Sequence, residues 1–379
     1  MDKNQFIIEL RKNLKGLEEK DIRDIVYDYE EHINSGIARG KSEEEVIGKL
    51  GNPEDIAQTY LIEFLKTQSV PGENGSRIRK TENGINIDRD VPMDGIDRIN
   101  ISISSCNLQV KPGNRETLHA NLSGNRRNND YYLDIAVNIS GSTLNLGIEY
   151  EKRYFFSFDN LQLTISVPDS FKGDIISNSA SGNMEFSDLV LDKAEFHSSS
   201  GNIRLSEINS SGLTASTSSG DLECNRLKSE FLLIHSNSGK VRLNNLEGND
   251  IKISSTSGSL SGKEIHYESG IFQSASGGIQ LEEISGNSKF KNSSGNIFAG
   301  FSKFDYNIEM RSSSGSLTLE LPETSKFNLN TKTASGNIYT SFPLTVSGKI
   351  SKNNLNGQVG ESQNMIDLHT SSGNIAVQS

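Results

Sequence analysis

Apolar residues follow two different periods along this chain of 379 residues, and the change of period divides it into domains. Near the N-terminus they recur at helical spacing, as Phe6, Leu10 and Leu14 do. From Ile96 onward they alternate with polar residues, which is typical of half-buried β-strands. The sequence therefore predicts a helical domain at 1–67, a turn-rich linker at 68–95 and a β domain at 96–379.

Three glycines and a proline divide the helical domain into four short amphipathic segments. Gly16, Gly40 and Gly51 stand where helix C-caps belong, and Pro53 stands in the first turn of the last segment. Each segment has one apolar stripe, the arrangement of helices that bury one side against each other. These features predict a bundle of four helices.

A motif of Ser-Gly, a small polar residue and an apolar residue recurs every 19 residues through the second half of the chain. A fixed period of this length marks a solenoid, in which each repeat buries its apolar side only against its neighbours. We therefore expect a mainly β protein, a β-solenoid or β-helix with 19-residue coils at 174–379, capped by the non-repetitive strands of 96–173. The motif glycines, which we place at structural corners, are Gly182, Gly201, Gly220, Gly239, Gly258, Gly277, Gly295, Gly315, Gly336 and Gly373.

The residue columns of the repeat predict which side chains face inward. Positions two, four and seven after the glycine, and five before it, are almost all apolar. If the alternation continues from the position five before the glycine, the serine immediately before the glycine also faces inward. The alternation then breaks at Ser-Gly-x. We therefore expect a corner at which glycine adopts φ > 0. Because the serine recurs in every coil, we interpret it as structural rather than as a nucleophile or a phosphate-binding residue.

The helical domain resembles a known family over nearly its whole length. Residues 1–66 are similar to the HAAS-type bacterial signalling domain, through the segments 29–33 and 40–45 and the ending Leu50-Gly51-Asn52-Pro53-Glu54-Asp55-Ile56-Ala57. The resemblance implies a cytoplasmic domain that acts in regulation or protein interaction and is commonly followed by membrane spans.

The β domain, from about residue 97 onward, resembles the bacterial putative-adhesin family of β-strand-repeat proteins. The segments 178–184, 198–203 and 371–375 carry the likeness, and each contains Ser-Gly-Asn followed by an apolar residue. The resemblance implies a β-helix-like fold, and the family is named for an adhesive role.

Charge and cysteine content restrict the class of partner and the compartment. The net charge is −11 and no basic domain stands out, which argues against a nucleic-acid partner. Cys106 and Cys224 are too few and too distant for a disulfide framework, and they fit a reducing compartment. No secretory signal is evident, and no run approaches the ~18 apolar residues of a membrane span. We expect a cytoplasmic protein without an integral membrane segment; the alternative is the cell envelope or surface.

Cations on the outer side of the solenoid are the candidate ligand contacts. Three of them lie four residues before their glycines, which places them on consecutive coils, and two more lie six residues before theirs. Stacked like charges are a candidate anion site, whereas Glu309 among them favours the alternative of ordinary solvated surface. The candidate contacts are Lys252, Lys289, Lys291, Arg311 and Lys332.

Neither catalytic nor metal-binding groups gather in the repeat pattern. His197, His235 and His369 share the column four before the glycine, but the coils between them separate them too far for a metal site. The column six after the glycine includes the acids Asp188 and Glu207, and other residue types interrupt it. We therefore expect no catalytic residue, no metal and no cofactor.

The expected function is non-enzymatic binding, in signalling or in envelope-related regulation. We expect residues 1–67 to hold a regulatory protein or the tail of a membrane protein, and the solenoid to present a surface for a polyanion or glycan. Two alternatives stay open: an exported or surface adhesin, and a β-helix carbohydrate-active enzyme.

Overall fold

The computed structural model describes residues 2–15, 17, 19–38, 42–54, 56–57, 77–81, 84–126, 133–150, 158–347 and 351–379. They belong to two compact units, one built mainly of Met1–Ile85 and one built mainly of Asn160–Ser379. None of the helices in these ranges is long and apolar enough to cross a membrane.

Three helices are described in the first unit, not the predicted four. The first helix, α1 (Lys3–Asn13), begins with a capping box. The Gln5 amide donates to Asp2 Oδ1 at 2.8 Å and the Asp2 amide donates to Gln5 Oε1 at 3.2 Å. The fourth predicted helix has helical backbone at 53–54 and 56–57, and the rest of its range lies outside the described residues. The helices are α1 (Lys3–Asn13), α2 (Glu19–Ala38) and α3 (Glu43–Leu50), and their buried core is Phe6, Leu10, Leu14, Ile22, Ile25, Tyr29, Ile33, Val46, Ile47 and Ala57.

The strands begin within the range predicted as a linker. That range was expected to be turn-rich, but it contains β1 (Arg77–Thr81) and β2 (Gly84–Pro92). The strands before the regular repeat are β1 (Arg77–Thr81), β2 (Gly84–Pro92), β3 (Arg98–Ile103), β4 (Asn107–Gly113), β5 (Thr117–Arg126), β6 (Leu133–Ser140), β7 (Thr143–Tyr150) and β8 (Phe158–Pro168). The later strands are β9 (Asp174–Ser179), β10 (Met184–Ser187), β11 (Val190–Ser198), β12 (Ile203–Thr217), β13 (Leu222–Ser236), β14 (Val241–Ser255), β15 (Leu260–Ser274), β16 (Ile279–Ser294), β17 (Ile297–Phe301), β18 (Ile308–Ser314), β19 (Leu317–Glu320), β20 (Phe327–Ser335), β21 (Ile338–Thr340), β22 (Thr345–Val346), β23 (Asn354–Val359), β24 (Met365–Ser372) and β25 (Ile375–Gln378).

Each central coil forms one layer of the stack and contributes one long strand with two internal breaks. Strands β12 to β15 have 15 residues each and pair in parallel at a constant offset of 19 residues, as Ile203 does with Leu222. The inside–outside alternation of β12 breaks at Glu207 and again at Ser211–Gly212. Together with the corner at the motif, these breaks divide the coil into three short sides.

The first break is a left-handed corner that the sequence pattern did not predict. In every regular coil the residue six after the glycine has φ between 52° and 59°, although it is not glycine. Such a conformation is uncommon for residues with a side chain, and Asn and Asp tolerate it best. The corner residues are Asp188, Glu207, Arg226, Asn245, Glu264 and Glu283.

The predicted inward columns form the core of the stack. In the column five before the glycine, every side chain predicted to be inside has 0% exposure, from Phe196 to Leu368. Ile338 is an exception in the column two after the glycine, because it is only half-buried. A further inward column, seven before the glycine, was missed: it holds Ala194, Leu213, Leu232 and Ile251.

The motif glycines are required by close packing rather than by φ. An added Cβ on Gly201 would lie 1.9 Å from the carbonyl oxygen of Gly182, and one on Gly220 would lie 2.1 Å from that of Gly201. The six glycines of the strict repeat do not have φ in the left-handed region, so the predicted reason is wrong for them. Within the motif series, only Gly295, Gly336 and Gly373 have it, with φ of 141°, 158° and 146°.

The serine before each glycine is exposed, contrary to the prediction. The corner comes one residue earlier than expected, so Ser200 and Ser219 point outward. The buried hydroxyl lies three residues before the glycine, where Ser198 Oγ accepts a hydrogen bond from the Gly201 amide at 2.8 Å. Thr217 does the same for Gly220 at 3.0 Å. This hydroxyl satisfies the amide of the glycine at a buried corner.

At its N-terminal end the stack does not follow chain order. β3 pairs in parallel with β9 on one side and with β7 on the other. β4 likewise lies between β8 and β10. The layer made of β3 and β4 is therefore an inner layer, and the later strands β7 and β8 form the layer outside it.

The C-terminal end is interleaved in the same way. β24 pairs in parallel with both β18 and β20, and β25 pairs with both β19 and β21. The glycine contacts agree, since a Cβ on Gly373 would meet the Gly315 oxygen and one on Gly336 would meet the Gly373 oxygen. The last strands of the chain are therefore inserted beneath the final layer, β20 and β21. The hairpin of β22 and β23 pairs antiparallel with β20 beside it.

Candidate functional site

One column of outward side chains runs along the side of the coil that ends at the motif. It holds the residues four before each glycine, and adjoining residues join them to line a groove of about 900 Å³, which we call the basic groove. Strand register places the column in the order His235, Ser254, Gln273, Lys291, Arg311, His369 and Lys332.

The basic groove brings together most of the predicted ligand contacts. Lys252, Lys291, Arg311 and Lys332 line it. The register corrects their order, because His369 lies between Arg311 and Lys332, which were expected on consecutive coils. The physical reason is the insertion of β24, which spacing along the chain did not reveal.

Lys289 belongs to an ion-pair network beside the groove and does not line it. Its Nζ lies 2.5 Å from Glu309 Oε2, and Arg311 Nε lies 3.0 Å from Oε1 of the same carboxylate. Arg311 Nη2 also lies 2.5 Å from Asp367 Oδ2. The hydrogen bond from Lys289 lowers the pKa of Glu309 against the opposing effect of burial, and Arg311 lowers it further. The network therefore neutralises Arg311 and removes Lys289 from the ligand contacts.

Three lysines of the groove keep an unpaired charge. Within the described ranges of the chain, no carboxylate lies within ion-pair distance of Lys252, Lys291 or Lys332. All three side chains are exposed. In a protein with a net charge of −11, three unpaired ammonium groups in one groove create a local positive potential that attracts anions.

Hydroxyl, amide and imidazole side chains also line the groove. Ser254, Gln273 and Asn292 are among them. His235 is held in place by its neighbours, with Nδ1 2.9 Å from Ser254 Oγ and Nε2 2.7 Å from Asn237 Oδ1. Hydroxyls and amides both donate and accept hydrogen bonds, so this lining suits a ligand that carries hydroxyl groups as well as charge.

An apolar shelf adjoins the basic groove at Lys252, which lines both. The shelf is a depression of about 400 Å³ that includes Phe231, Leu233 and Ile271. Phe231 is 59% exposed and Leu233 is 40% exposed. Large apolar side chains that stay exposed together are typical of ligand or partner sites. Sequence reasoning missed the shelf because Phe231 belongs to no apolar column.

The strand region matches a known family along almost its whole length. Residues 96–272 and 211–378 match Toastrack DUF4097. The chain belongs to this family. Residues 5–59 match HAAS, so a HAAS domain precedes the toastrack region, as the N-terminal resemblance predicted.

Two solved structures are distantly similar to the toastrack protein. One is a putative cell adhesion protein from Clostridium sporogenes, with 10% identity, a TM-score of 0.25, and coverage of 80% of this chain and 99% of that one. The other is a putative adhesin from Bacteroides fragilis, with 12% identity, a TM-score of 0.32, and coverage of 79% and 98%. No curated protein matches the chain significantly.

The two thiols of the toastrack layers are buried, and the acids of one repeat column are spread along the stack. Among the residues that the structure describes, no three His, Cys, Asp or Glu side chains gather closely enough to hold a metal ion. Burial raises the pKa of Cys106 and of Cys224 to about 12, so neither thiol is a nucleophile near neutral pH. The acids of the column six after the glycine are spread along the stack, one to a coil, at the left-handed corners.

Proposed function

We propose that this toastrack protein is a non-enzymatic binding scaffold, whose basic groove holds an anionic ligand and whose HAAS domain contacts a regulatory protein. The observation that carries the proposal is the set of unpaired lysines Lys252, Lys291 and Lys332 in one groove of an acidic protein. Parallel pairing between layers holds their backbones at fixed separations, so little order has to be gained on binding. We place the protein in the cytoplasm, as the HAAS resemblance implies.

Exposed apolar side chains on the HAAS domain support a protein partner. Ile8 is 66% exposed, Tyr27 is 63% exposed and Ile37 is 39% exposed, although the domain buries ten other hydrophobic residues in its own core. Apolar and aromatic side chains on a helix surface gain stability when a partner covers them. These three residues are therefore the proposed contact points.

The groove is tested by titrating the full chain with heparin in a calorimeter. Heparin serves as a general polyanion probe. We expect the combined variant Lys252→Ala, Lys291→Ala and Lys332→Ala to weaken binding at least roughly tenfold, because it removes every unpaired cation of the groove. Binding by the unaltered protein should weaken as salt is added, since it depends on charge.

A matched variant separates the groove from the overall charge. Lys111→Ala, Lys172→Ala and Lys303→Ala remove the same number of charges at exposed sites outside the groove. We expect this variant to bind heparin almost as well as the unaltered chain. Equal losses in the two variants would show that heparin responds to net charge, and the groove would lose its proposed role.

The HAAS contact is tested in the full chain by exposing it to proteins of the native host. Ile8→Ser together with Tyr27→Ser should abolish capture of the partner, while the groove variant should retain it. Both changes lie at exposed positions, so the helical core stays intact. If the groove variant loses the partner and the HAAS variant keeps it, the contact lies in the toastrack region. That result would favour the alternative of an exported adhesin.

A further inference from the structure

We infer that the ligand of the basic groove is an extended, linear acidic glycan that lies along the stack, with uncharged sugars between its charged ones. The inference rests on the proposed function of the groove as an anion site. It goes further by assigning the shape of the ligand, the spacing of its charges and the chemistry of its backbone.

The spacing of the lysines requires an extended ligand. Strand register places Lys252 two layers before Lys291, and Lys291 three layers before Lys332. Neighbouring layers are about 4.8 Å apart, so these intervals along the stack are about 10 Å and about 14 Å. Lys252 also lies two residues to one side of Lys291, because it shares the column of Lys289. A small anion reaches two of the lysines at most, whereas a chain that follows the groove reaches all three.

The charges between the lysines disfavour a densely charged polymer as the natural ligand. Glu309 and Asp367 lie on the two layers between Lys291 and Lys332, where they neutralise Arg311. A polymer with a charge on every unit would place anions beside these carboxylates. Duplex nucleic acid, with about one charge per 1.7 Å of its axis, is far denser than three cations in about 24 Å. The ligand therefore carries widely spaced charges.

The apolar shelf and the polar lining favour sugars over other carriers of charge. The exposed ring of Phe231 lies in the depression that shares Lys252 with the groove, and Leu233 and Ile271 extend the depression. The face of a sugar ring carries C–H groups that pack on an aromatic ring, while its hydroxyls bond to groups such as Ser254 and Gln273. Inorganic polyphosphate gains nothing from the shelf. A glycan uses both surfaces.

The test uses the full chain and hyaluronan oligosaccharides, which carry one carboxylate on alternate sugars. We expect affinity to rise with oligomer length until the oligomer spans the three lysines, and then to level off. Polygalacturonate oligomers of equal length carry a carboxylate on every sugar, and we expect them to bind more weakly despite their greater charge. Neutral dextran should not bind measurably.

Two single variants test the aromatic contact. We expect Phe231→Ala to weaken hyaluronan binding roughly tenfold and to leave tripolyphosphate binding unchanged. Tyr339→Ala is the control, since Tyr339 is 56% exposed and lines neither the groove nor the shelf. Thermal melts of both variants check that the fold is retained.

The outcomes separate this inference from the function on which it rests. If hyaluronan, polygalacturonate and heparin all fail to bind, the proposed anion site itself fails. If heparin binds through the three lysines but hyaluronan shows no gain with length, or polygalacturonate binds more tightly, the anion site stands and the glycan inference is overturned. An equal effect of Phe231→Ala on tripolyphosphate and on hyaluronan also overturns it.

Discussion

The toastrack stack contains two kinds of layer, which differ in how the chain visits them. In the centre, from β12 to β16, each layer is the neighbour of the layers just before and after it in sequence. At both ends a later or earlier segment of the chain lies between two layers. A strict 19-residue period therefore indicates layers that stack in chain order. Where the period fails, a segment from elsewhere in the chain is inserted between two layers.

The same glycine motif also meets different demands in the two regions. In the centre a Cβ on Gly239 would lie 1.8 Å from the Gly220 oxygen, and φ lies outside the left-handed region. At the C-terminal end Gly336 and Gly373 meet equally close oxygens and also have left-handed φ. Close packing is therefore the demand common to the motif, and left-handed φ is an additional demand at Gly295, Gly336 and Gly373.

Two deletions of equal length should give the largest difference between the two kinds of layer. Removing residues 361–379 takes out β24 and β25, an inner layer, so β18 and β20 each lose the strand that lies between them. Removing residues 220–238 takes out one central coil of the same length and joins two coils in the same register. We expect the first deletion to unfold the C-terminal layers and the second to leave a folded, shorter stack.

Hydrogen exchange distinguishes these outcomes. After the C-terminal deletion, the amides of β18 to β20 that bond to β24 and β25 should exchange quickly, because those inter-layer bonds are lost. After the central deletion they should stay protected. A C-terminal deletion that preserves this protection would mean that β20 stacks directly on β18, and the inserted layer would be dispensable.

Charged substitutions in one apolar column should give the next largest effect. Ile203 has 0% exposure in a central layer, and Ile203→Asp should lower the free energy of unfolding by about 4 kcal/mol or more, because a carboxylate cannot be buried there unpaired. Ile338 occupies the same column in the final layer but is half-buried, so Ile338→Asp should cost about 1–2 kcal/mol. Asn202→Asp, at an exposed corner, is the control and should cost little. Similar denaturant midpoints for all three variants would refute the column assignment.

A methyl group on a motif glycine should give a smaller but still large effect. Gly239→Ala places Cβ 1.8 Å from a backbone oxygen, and we expect a loss of about 3 kcal/mol as the layers separate. Gly212→Ala is the matched control, because a Cβ added there would lie 4.0 Å from its nearest neighbour, Lys193 Cγ. Thermal melts should show a clear drop only for the first variant. A drop of equal size at Gly212 would contradict the close-packing explanation.

Most of the regular fold follows from the sequence, because burial repeats in fixed columns. The inward positions five before and two after each glycine are visible as apolar residues. The interleaved ends are not visible in this way, since β18 and β24 both carry the motif and nothing in their local pattern shows that they are neighbours. Their only trace is the lengthened spacing from Gly295 to Gly315, Gly336 and Gly373.

The candidate site was predictable only in part, for the same reason. Column spacing alone selected Lys291, Arg311 and Lys332 as outward cations on one side. The two carboxylates that pair with Arg311 come from different segments, and Asp367 reaches it only because β24 is inserted. The unpaired state of the other lysines is therefore a property of the tertiary structure.

The smallest predicted effect concerns the left-handed corner, which marks the regular region alone. The corner recurs from Asp188 to Glu283, and no described residue at the equivalent position of the later layers has it. Asn adopts left-handed φ at lower cost than Glu, because its short side chain bonds to the local backbone. We therefore expect Glu264→Asn to raise the free energy of unfolding by about 0.5 kcal/mol, and Asn245→Glu to lower it by a similar amount. Glu320→Asn, in the C-terminal region without left-handed φ, should bring no gain. Urea melts measure the free energy of unfolding of each variant. A gain at Glu320 equal to that at Glu264 would indicate general β-strand or surface-charge effects instead of the corner.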